Sequence, residues 1–351
     1  MSKIEFFVSG STEISLPNEG FSKGTQLLKI LQGLDFDLTK NPSSKYLLMI
    51  DHNERDYRAY IREGGSKENA FLLRLEPKVI FPKQYSDKIE SNYRRIFSPG
   101  LVASGDRASN IYGCAYQYQA NPVIPTLVEH QQHSVYLDMS DDEVLESWLD
   151  RDIFISMVVA NKVSSQKDDN YGIRRQIARG SSTEILEVYG PYWGADFFSQ
   201  IKHRLGVVSF SLRNGILPNL KSLYGNLHWK YPTGKGIVSN KHDVLRKSKF
   251  TIAAENSNEY LSEKLFDAIY DGTIPLYIGP NLSDSGLPKN IGINISGGIK
   301  EIEEITSFMP NQQVLEILTN GRKFLESELF HSNWKEAGVY SRISKEIQKD
   351  L

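Results

Sequence analysis

The chain has 351 residues, of which 40% are hydrophobic and 24% are charged, and its formal net charge is -2. This length predicts about two domains of ordinary size, and the near-neutral charge gives no reason to expect a nucleic-acid-binding protein. The single cysteine, Cys114, excludes an intramolecular disulfide framework and is typical of a reducing compartment. No apolar run reaches the ~18 residues of a transmembrane helix, and the first residues lack the apolar core of a signal peptide.

Short apolar runs alternate with polar segments in the first half of the chain. Candidate buried strands lie at 46–50, 71–75, 93–97 and 135–137. A helix is predicted over 140–150, because Ser140 and Glu143 have the spacing of a capping box at its start. The acidic, polar composition of this helix favours a domain boundary near residue 150.

Strands and helices also alternate in the second half. Predicted strands lie at 152–159 and 185–189, and predicted helices at 173–178, 196–205 and 242–247. This alternation predicts two α/β domains with largely parallel sheets. Amphipathic helices close the chain from residue 327, and one of them is expected to return to the first domain. We therefore divide the chain into domains at 1–150 and 151–330, followed by a C-terminal helix at 331–351.

The segment 249–280 has the clearest pattern in the chain. An apolar run at 250–254 and a second at 273–278 predict two buried parallel strands. Between them, apolar residues recur at helical spacing from Leu261, and Gly272 stands where that helix should stop. Strand, helix and strand form a βαβ unit, which binds ligands at the carboxyl ends of its strands.

The polar loop of this unit lies at that end. It carries Glu255, Asn256, Tyr260, Glu263 and Lys264. Lys264 falls in the first helical turn, where unbonded backbone N–H groups and the helix dipole already favour an anion. A lysine added there predicts a diphosphate site, and the neighbouring carboxylate can accept hydrogen bonds from ribose or sugar hydroxyls.

The same segment resembles the donor-binding signature of the family 10 glycosyltransferases, the α-1,3/4-fucosyltransferases. The residues that agree, in order, are Phe250, Glu255-Asn256-Ser257, Tyr260-Leu261-Ser262-Glu263-Lys264, Ile274-Pro275 and Gly279-Pro280. Ala254 stands where the family usually has phenylalanine. The loop between Asn256 and Tyr260 is about two residues shorter than usual, which leaves the identity of the sugar open.

The resemblance implies the GT-B fold, in which two Rossmann-like domains face a cleft. In that family the N-terminal domain binds the acceptor, and the C-terminal domain binds the nucleotide sugar. For this chain the resemblance favours GDP-fucose as the nucleotide sugar. Animal members have a membrane anchor and disulfides. This chain has neither in its sequence, so it resembles a bacterial, cytoplasmic member.

A transfer that inverts the anomeric centre needs a base to deprotonate the acceptor hydroxyl, and a carboxylate suits this role. Glu76 follows the apolar run 71–75, so we expect it at the carboxyl end of a strand, and bacterial family members carry a glutamate at the corresponding place. Asp51 and His52 end another predicted strand and are the rival candidates.

Arginine is expected near the diphosphate, because its guanidinium matches two phosphate oxygens. The family places one on the helix that follows the first strand of the donor domain. Ile173-Arg174 matches an Ile-Arg step of the bacterial members, so Arg174 is favoured over Arg175, and Arg179 ranks below both.

Other patterns point less clearly to chemistry. Asp35-Phe36-Asp37 has the form of an Asp-x-Asp metal motif, and no histidine and cysteine residues have zinc-site spacing. The stretch 231–236 is interpreted as a glycine-rich turn rather than a phosphate loop, although Lys235 could approach the donor. The aromatic residues of 189–193 are interpreted as packing residues, with stacking on a base as the alternative.

The sequence therefore predicts an inverting glycosyltransferase without an obligatory metal, in which a divalent ion would at most stimulate. Glu76, Arg174 and Lys264 are the predicted catalytic residues. The predicted donor-binding residues are Arg174, Glu255, Asn256, Tyr260, Glu263 and Lys264. The expected acceptor is an oligosaccharide, lipopolysaccharide or capsule precursor, with no nucleic acid and with room for peripheral membrane contact. Three alternatives remain: another nucleotide sugar, a metal-dependent transferase using Asp35 and Asp37, or a nucleotide-sugar-binding protein without turnover.

Overall fold

The computed structural model describes residues 4–19, 25–34, 36–99, 108–111, 135–164, 166, 168–194, 197–213, 218 and 231–351. Cys114 lies outside these ranges. The chain forms two compact units. The first comprises Met1–Pro122 and Glu328–Leu351, and the second comprises Val123–Ser327.

The secondary-structure elements are numbered in chain order. The described strands are β1 (Ile4–Gly10), β2 (Phe36–Thr39), β3 (Tyr46–Ile50), β4 (Ala70–Leu73), β5 (Arg95–Pro99), β6 (Ala108–Ile111), β7 (Ile153–Val158), β8 (Leu186–Tyr189), β9 (Gly234–Gly236), β10 (Ser248–Ala254), β11 (Ile274–Ile278) and β12 (Ile293–Asn294). The described helices are α1 (Thr25–Gly33), α2 (Glu54–Arg62), α3 (Asp87–Glu90), α4 (Val135–Asp138), α5 (Asp141–Leu149), α6 (Tyr171–Gly180), α7 (Phe197–Arg213), α8 (Lys241–Leu245), α9 (Glu263–Tyr270), α10 (Ile299–Ser307), α11 (Asn311–Glu326), α12 (Glu328–Asn333) and α13 (Glu336–Asp350).

The first unit is built on a parallel sheet with the strand order β2-β1-β3-β4-β5-β6. Strands β3 and β4 are buried along their whole length, because successive side chains alternate between two apolar layers. Val8 of β1 packs in one layer with Leu28 of α1 and Ile343 of α13. Phe7 packs in the other layer with Tyr57 of α2. The order reverses between β1 and β3, which makes that point the expected ligand crevice of this unit.

The second unit is built on a parallel sheet with the order β12-β11-β10-β7-β8-β9. Numbered from β7, its strands have the order 3-2-1-4-5-6 of dinucleotide-binding Rossmann domains. Ile155, Ile252 and Leu276 are buried in one cluster with Trp148 of α5 and Val314 of α11. The order reverses between β7 and β10, so the carboxyl ends of these two strands flank the expected crevice.

Several local predictions are confirmed. Ser140 and Glu143 form the capping box at the start of α5. Gly272 ends α9 with a positive φ of 64°, its N–H bonds Ile269 O and the N–H of Thr273 bonds Ala268 O, as in a Schellman motif. The closing helices α12 and α13 belong to the first unit.

The structure differs from the sequence interpretation at three places. Residues 135–138 form the short helix α4 rather than a strand, and its Tyr136 hydroxyl donates to Leu318 O at 2.7 Å. Residues 234–236 form the edge strand β9 rather than a turn. Helix α5, which the sequence placed at the end of the first domain, lies in the second unit, where Trp148 packs edge-on against Phe250.

Helix α13 supplies part of the core of the first unit, and Ile343 within it is 1% exposed. We expect Ile343→Ala to lower the free energy of unfolding by about 2–5 kcal/mol, because it leaves a cavity between α13 and the sheet. Urea denaturation of wild type and variant measures this loss. Leu329→Ala, at a position that is 40% exposed, is the matched control and should change stability by less than ~0.5 kcal/mol. Equal effects of the two substitutions would contradict the packing described here.

Candidate functional site

Glu255 lies directly after β10 and is fully buried. Its carboxylate accepts hydrogen bonds from the Ser262 backbone N–H at 2.7 Å, from the Ser262 hydroxyl at 2.6 Å and from the Tyr277 hydroxyl at 3.4 Å. The N–H of Glu255 itself bonds Ile278 O at 2.7 Å. A buried carboxylate is costly unless it is hydrogen-bonded and paired with a cation. This one ties the end of β10 to the start of α9.

Lys264 supplies the cation. Its ammonium lies 3.2 Å from Glu255 Oε2, donates to Ser262 Oγ at 2.7 Å and lies 3.9 Å from Glu263 Oε1. The side chain is 19% exposed, whereas that of its partner Glu255 is completely covered. Ser262 makes no side-chain capping bond to the first turn of α9. The ammonium and the helix start therefore lie at the same place, as the sequence predicted.

Arg174 reaches the same strand end from α6. Its Nη2 donates to Ala254 O at 2.6 Å and to Asn256 Oδ1 at 3.1 Å, and its guanidinium lies 4.9 Å from the ring centre of Tyr171. Arg174 and Lys264 thus contact three consecutive residues, 254–256. The structure brings the two predicted phosphate-binding cations to one strand end, beside the topological switch of the second unit.

The loop after β10 is held by the segment that leads into α6. Asn170 N–H donates to Asn256 O at 3.0 Å, and the Asn170 side chain donates to Asn258 Oδ1 at 2.9 Å. Asp169 and Ser257 form an isolated antiparallel bridge. Tyr260 is only 1% exposed, so it packs under the loop rather than lining its surface.

Two further buried arginines lie in the same region: Arg175, which follows Arg174 and was its rival candidate, and Arg204, which interacts with Arg175 and which the sequence did not group with them. Arg175 donates to Lys162 O at 2.7 Å and is 5% exposed, and Arg204 of α7 is 3% exposed. Burial lowers the pKa of Arg174 and of Arg175, and repulsion from Arg204 lowers that of Arg175 further. The Nε–H groups of both Arg174 and Arg175 are buried without a hydrogen-bond partner in the described part of the chain. A bound anion would satisfy such groups.

No sequence pattern could place Arg204 in this cluster. It lies 29 positions after Arg175 along the chain, on a different helix. The sequence feature that could have identified Arg204 is its position within a largely apolar helix, because a buried charge needs hydrogen-bonding or ionic partners.

Glu263 begins α9, and its side chain is 11% exposed. Burial opposes its ionisation, but Lys264 and Lys241 together lower its pKa. Lys241 of α8 lies 3.9 Å from Glu263 Oε1 and forms an ion pair with Asp267. Burial raises the pKa of Asp267 to about 6. The sequence did not predict the lysine, which comes from an element 22 residues upstream of Glu263.

Glu76 is half-buried and follows β4, as predicted. Its N–H donates to Asp51 Oδ1 at 3.0 Å, and its carbonyl accepts from Gln84 Nε2 at 3.0 Å and from the Tyr85 hydroxyl at 2.9 Å. Asp51 has a positive φ of 50° and also accepts the N–H of Leu75 at 2.8 Å. Asp51, a rival candidate base, therefore orders the backbone of the turn that carries Glu76.

His52, the second rival, is 3% exposed. Its Nδ1 lies 2.7 Å from the Tyr93 hydroxyl, and its Nε2 lies 3.1 Å from Glu54 Oε2. Burial lowers the pKa of this imidazole, and the hydrogen bond to Glu54 opposes the change. Both ring nitrogens have protein partners, so His52 is built into the core of the first unit.

The remaining candidates have other surroundings. Lys235 lies 3.4 Å from Glu187 on the neighbouring strand. Trp193 is buried and donates to Val159 O at 2.6 Å, which confirms a packing role. Tyr192 stacks on His203 with 4.4 Å between ring centres. Asp37 lies on β2 and Asp35 lies outside the described ranges. Among the residues placed by the structure, no three acidic, histidine or cysteine side chains are arranged to hold a metal.

A cavity of about 540 Å³ lies elsewhere, where β12 begins and α11 starts. Amide side chains dominate its lining, including Asn290, Asn294, Gln312 and Gln313. It lies at the edge strand β12, and no predicted donor-binding residue contributes to the cavity.

Comparison with known proteins supports the fold. Neither a protein-family model nor a curated protein matches the sequence. An α1,3-fucosyltransferase with GDP aligns over 99% of this chain and 89% of that chain, with 12% identity and a TM-score of 0.51. The Anabaena protein HepE in complex with UDP-glucose aligns over 98% of this chain and 99% of that chain, with 8% identity and a TM-score of 0.50. At such identities the likeness shows the fold alone, and it confirms two Rossmann-like units of the GT-B fold.

The surroundings of His52 predict a pH dependence of stability. Because its pKa is lowered on folding, the unfolded state takes up the proton first as pH falls below about 6.5, and stability is lost in that direction. We expect the contribution of His52 to the free energy of unfolding to decrease from about pH 7.5 to about pH 5.5 by up to ~1.4 kcal/mol per pH unit. The raised pKa of Asp267 acts in the opposite direction near pH 6, so the quantity compared is the difference in slope between wild type and His52→Asn, which lacks the His52 contribution.

Urea denaturation at each pH measures the effect. Tyr93→Phe removes the hydroxyl that contacts His52 but keeps the titrating ring, so this control should lower stability and retain the slope. An unchanged slope in His52→Asn would assign the pH dependence to other groups.

Proposed function

We propose that this chain is an inverting glycosyltransferase of the family 10 type, which transfers a sugar from a nucleoside diphosphate sugar to a glycan hydroxyl. GDP-fucose is the donor that the signature favours. The observation that carries the proposal is the convergence of Arg174 and Lys264 on residues 254–256, next to the strand reversal of a Rossmann-type sheet. This is where such sheets bind nucleotides.

The diphosphate is the leaving group, and its charge grows as the glycosidic bond breaks. Lys264 and the first turn of α9 offer an ammonium and backbone N–H groups to that charge. Arg174 and Arg175 add buried guanidinium groups whose Nε–H atoms lack partners in the described residues. These cations act without an obligatory metal in this proposal.

The Glu255 carboxylate already accepts hydrogen bonds from Ser262 and Tyr277, and its negative charge would repel a diphosphate, so we assign it the task of orienting Lys264. Glu263, with an exposed edge, is the better acceptor for ribose or sugar hydroxyls. Asn256 and Tyr260 shape the loop, the first through Arg174 and the second by packing beneath it. In this proposal, polar side chains contact the donor, and the buried residues beneath them hold the loop in place.

The proposed base is Glu76, which would take the proton of the acceptor hydroxyl as that oxygen attacks the anomeric carbon. Asp51, Gln84 and Tyr85 hold the backbone on both sides of this residue. These hydrogen bonds fix the backbone from which the Glu76 side chain extends, so less backbone freedom has to be lost when the acceptor binds. The acceptor is proposed to be an oligosaccharide, lipopolysaccharide or capsule precursor.

The phosphate assignment is tested by removing the charge of Lys264. We expect Lys264→Ala to weaken GDP binding by about 10–100-fold, the range for a lost charge-assisted hydrogen bond, and to lower turnover as well. Isothermal titration with GDP, and with UDP as the competing nucleotide, measures the change.

A second variant separates binding from folding. Lys264→Ala leaves a buried carboxylate unpaired, which can destabilise by several kcal/mol, whereas Glu255→Gln combined with Lys264→Met removes both charges. The double variant should fold normally and still bind GDP weakly. Lys300→Ala, a lysine that is 90% exposed in the same unit, should bind like wild type. Wild-type GDP affinity in the double variant would refute the assignment.

The base assignment is tested with Glu76→Gln. We expect transfer from GDP-fucose, assayed in EDTA, to fall by at least ~100-fold with donor affinity intact, because only proton removal is lost. Glu63→Gln, an exposed carboxylate that follows α2, is the matched control and should keep full activity. Unchanged transfer in Glu76→Gln would show that another group is the base. Donor binding by a wild-type protein that transfers to no acceptor would instead favour the binding protein without turnover.

A further inference from the structure

Helix α7 buries polar residues and exposes apolar ones, which is the reverse of the usual arrangement. Gln200, Arg204 and Ser211 are buried, with exposures of 2%, 3% and 1%. Leu205 and Leu212 are 54% and 58% exposed. A helix on the surface of a water-soluble protein normally buries its apolar face and exposes its charged one. The outward face of α7 is therefore suited to an apolar environment.

The exposed apolar residues form a continuous stripe. Phe198, Ile201, Leu205, Val208 and Leu212 follow one another at alternating spacings of three and four, which places them on one side of a helix. Phe198 is 80% exposed, and Ile201 and Val208 are partly exposed. The stripe extends over roughly 20 Å of helix.

The charged residues of α7 indicate what kind of surface the apolar stripe contacts. Helix α7 is an acid-free stretch, because Phe197–Arg213 contains Lys202, Arg204 and Arg213 and no aspartate or glutamate. Lys235 and Lys241, further along the chain, already pair with acidic residues and do not add to this charge. Elsewhere acidic residues are frequent, since the whole chain has 43 of them and a net charge of -2. Lys202 flanks the stripe and is exposed. Apolar residues next to basic ones, in a region without acids, are the composition of helices that lie on anionic lipid surfaces.

We propose that α7 is a membrane-docking helix, whose apolar stripe enters the interface of an anionic lipid bilayer. The helix lies in the plane of the surface, since none of the described helices is long and apolar enough to cross a membrane. A second copy of the chain is the less favourable occupant, because pairing two such helices would bring basic residues together with no acid to compensate. The inference does not depend on the proposed transfer reaction.

The experiment is vesicle flotation of the full chain with two lipid compositions. We expect binding to vesicles of phosphatidylcholine and phosphatidylglycerol in equal parts, and much weaker binding to phosphatidylcholine alone. Added salt should weaken the binding, because it screens the attraction to anionic lipid. Absence of binding to the anionic vesicles would overturn the proposal.

Variants test whether the helix carries the binding. Leu205→Gln combined with Leu212→Gln should lower the vesicle partition coefficient at least ~10-fold, because two apolar side chains leave the interface. Lys202→Glu should lower it about fivefold or more. Phe308→Gln, which changes a residue that is 81% exposed outside the acid-free stretch, is the matched control and should bind like wild type.

Two controls make the outcome decisive. Circular dichroism and GDP affinity should be unchanged in the double leucine variant, which separates a docking defect from misfolding and from failure of the donor site. Sedimentation velocity should show a monomer at all concentrations tested. Dimerisation that is lost in the double leucine variant, without vesicle binding by wild type, would assign the stripe to a second copy and refute the membrane proposal.

Discussion

The arrangement of the residues at the end of β10 depends on one buried ion pair, between Glu255 and Lys264. The carboxylate has no contact with solvent and is stable there because Ser262, Tyr277 and Lys264 all donate to it. These bonds fix where α9 begins relative to the end of β10. The ammonium keeps part of its surface exposed, so in the proposed function the diphosphate meets a cation whose position the protein has already determined.

The βαβ segment could be predicted from sequence because its signals are local. A continuous apolar run makes a buried parallel strand, and Gly272 supplies the positive φ that ends α9. The burial of Glu255 could not be predicted in the same way, because it depends on Tyr277 and Lys264 reaching the carboxylate from other elements. The positions of Arg204 and Lys241 could not be predicted for the same reason, because their charged neighbours Arg175 and Asp267 lie on other helices at no fixed sequence spacing.

The elements that sequence reasoning missed are short or lack a pattern of their own. Strand β9 is three residues long, with glycine at both ends, and exists because β8 pairs with it at the sheet edge. Helix α4 is a single turn, too short for its apolar residues to distinguish a period of 3.6 from a period of 2. In both cases the tertiary neighbours decide the local conformation.

Net charge conceals the most unusual part of the surface. A value of -2 describes the whole chain, but charges act over about a Debye length, so their local distribution decides what a surface attracts. On α7 the burial of Arg204 and the exposure of Leu205 and Leu212 reinforce the asymmetry that the absence of acids creates. A helix that turns an arginine inward and leucines outward loses stability in water. The proposed docking on an anionic bilayer would place the outward leucines in a medium less polar than water, and the exposed Lys202 on a helix without acids favours an anionic surface.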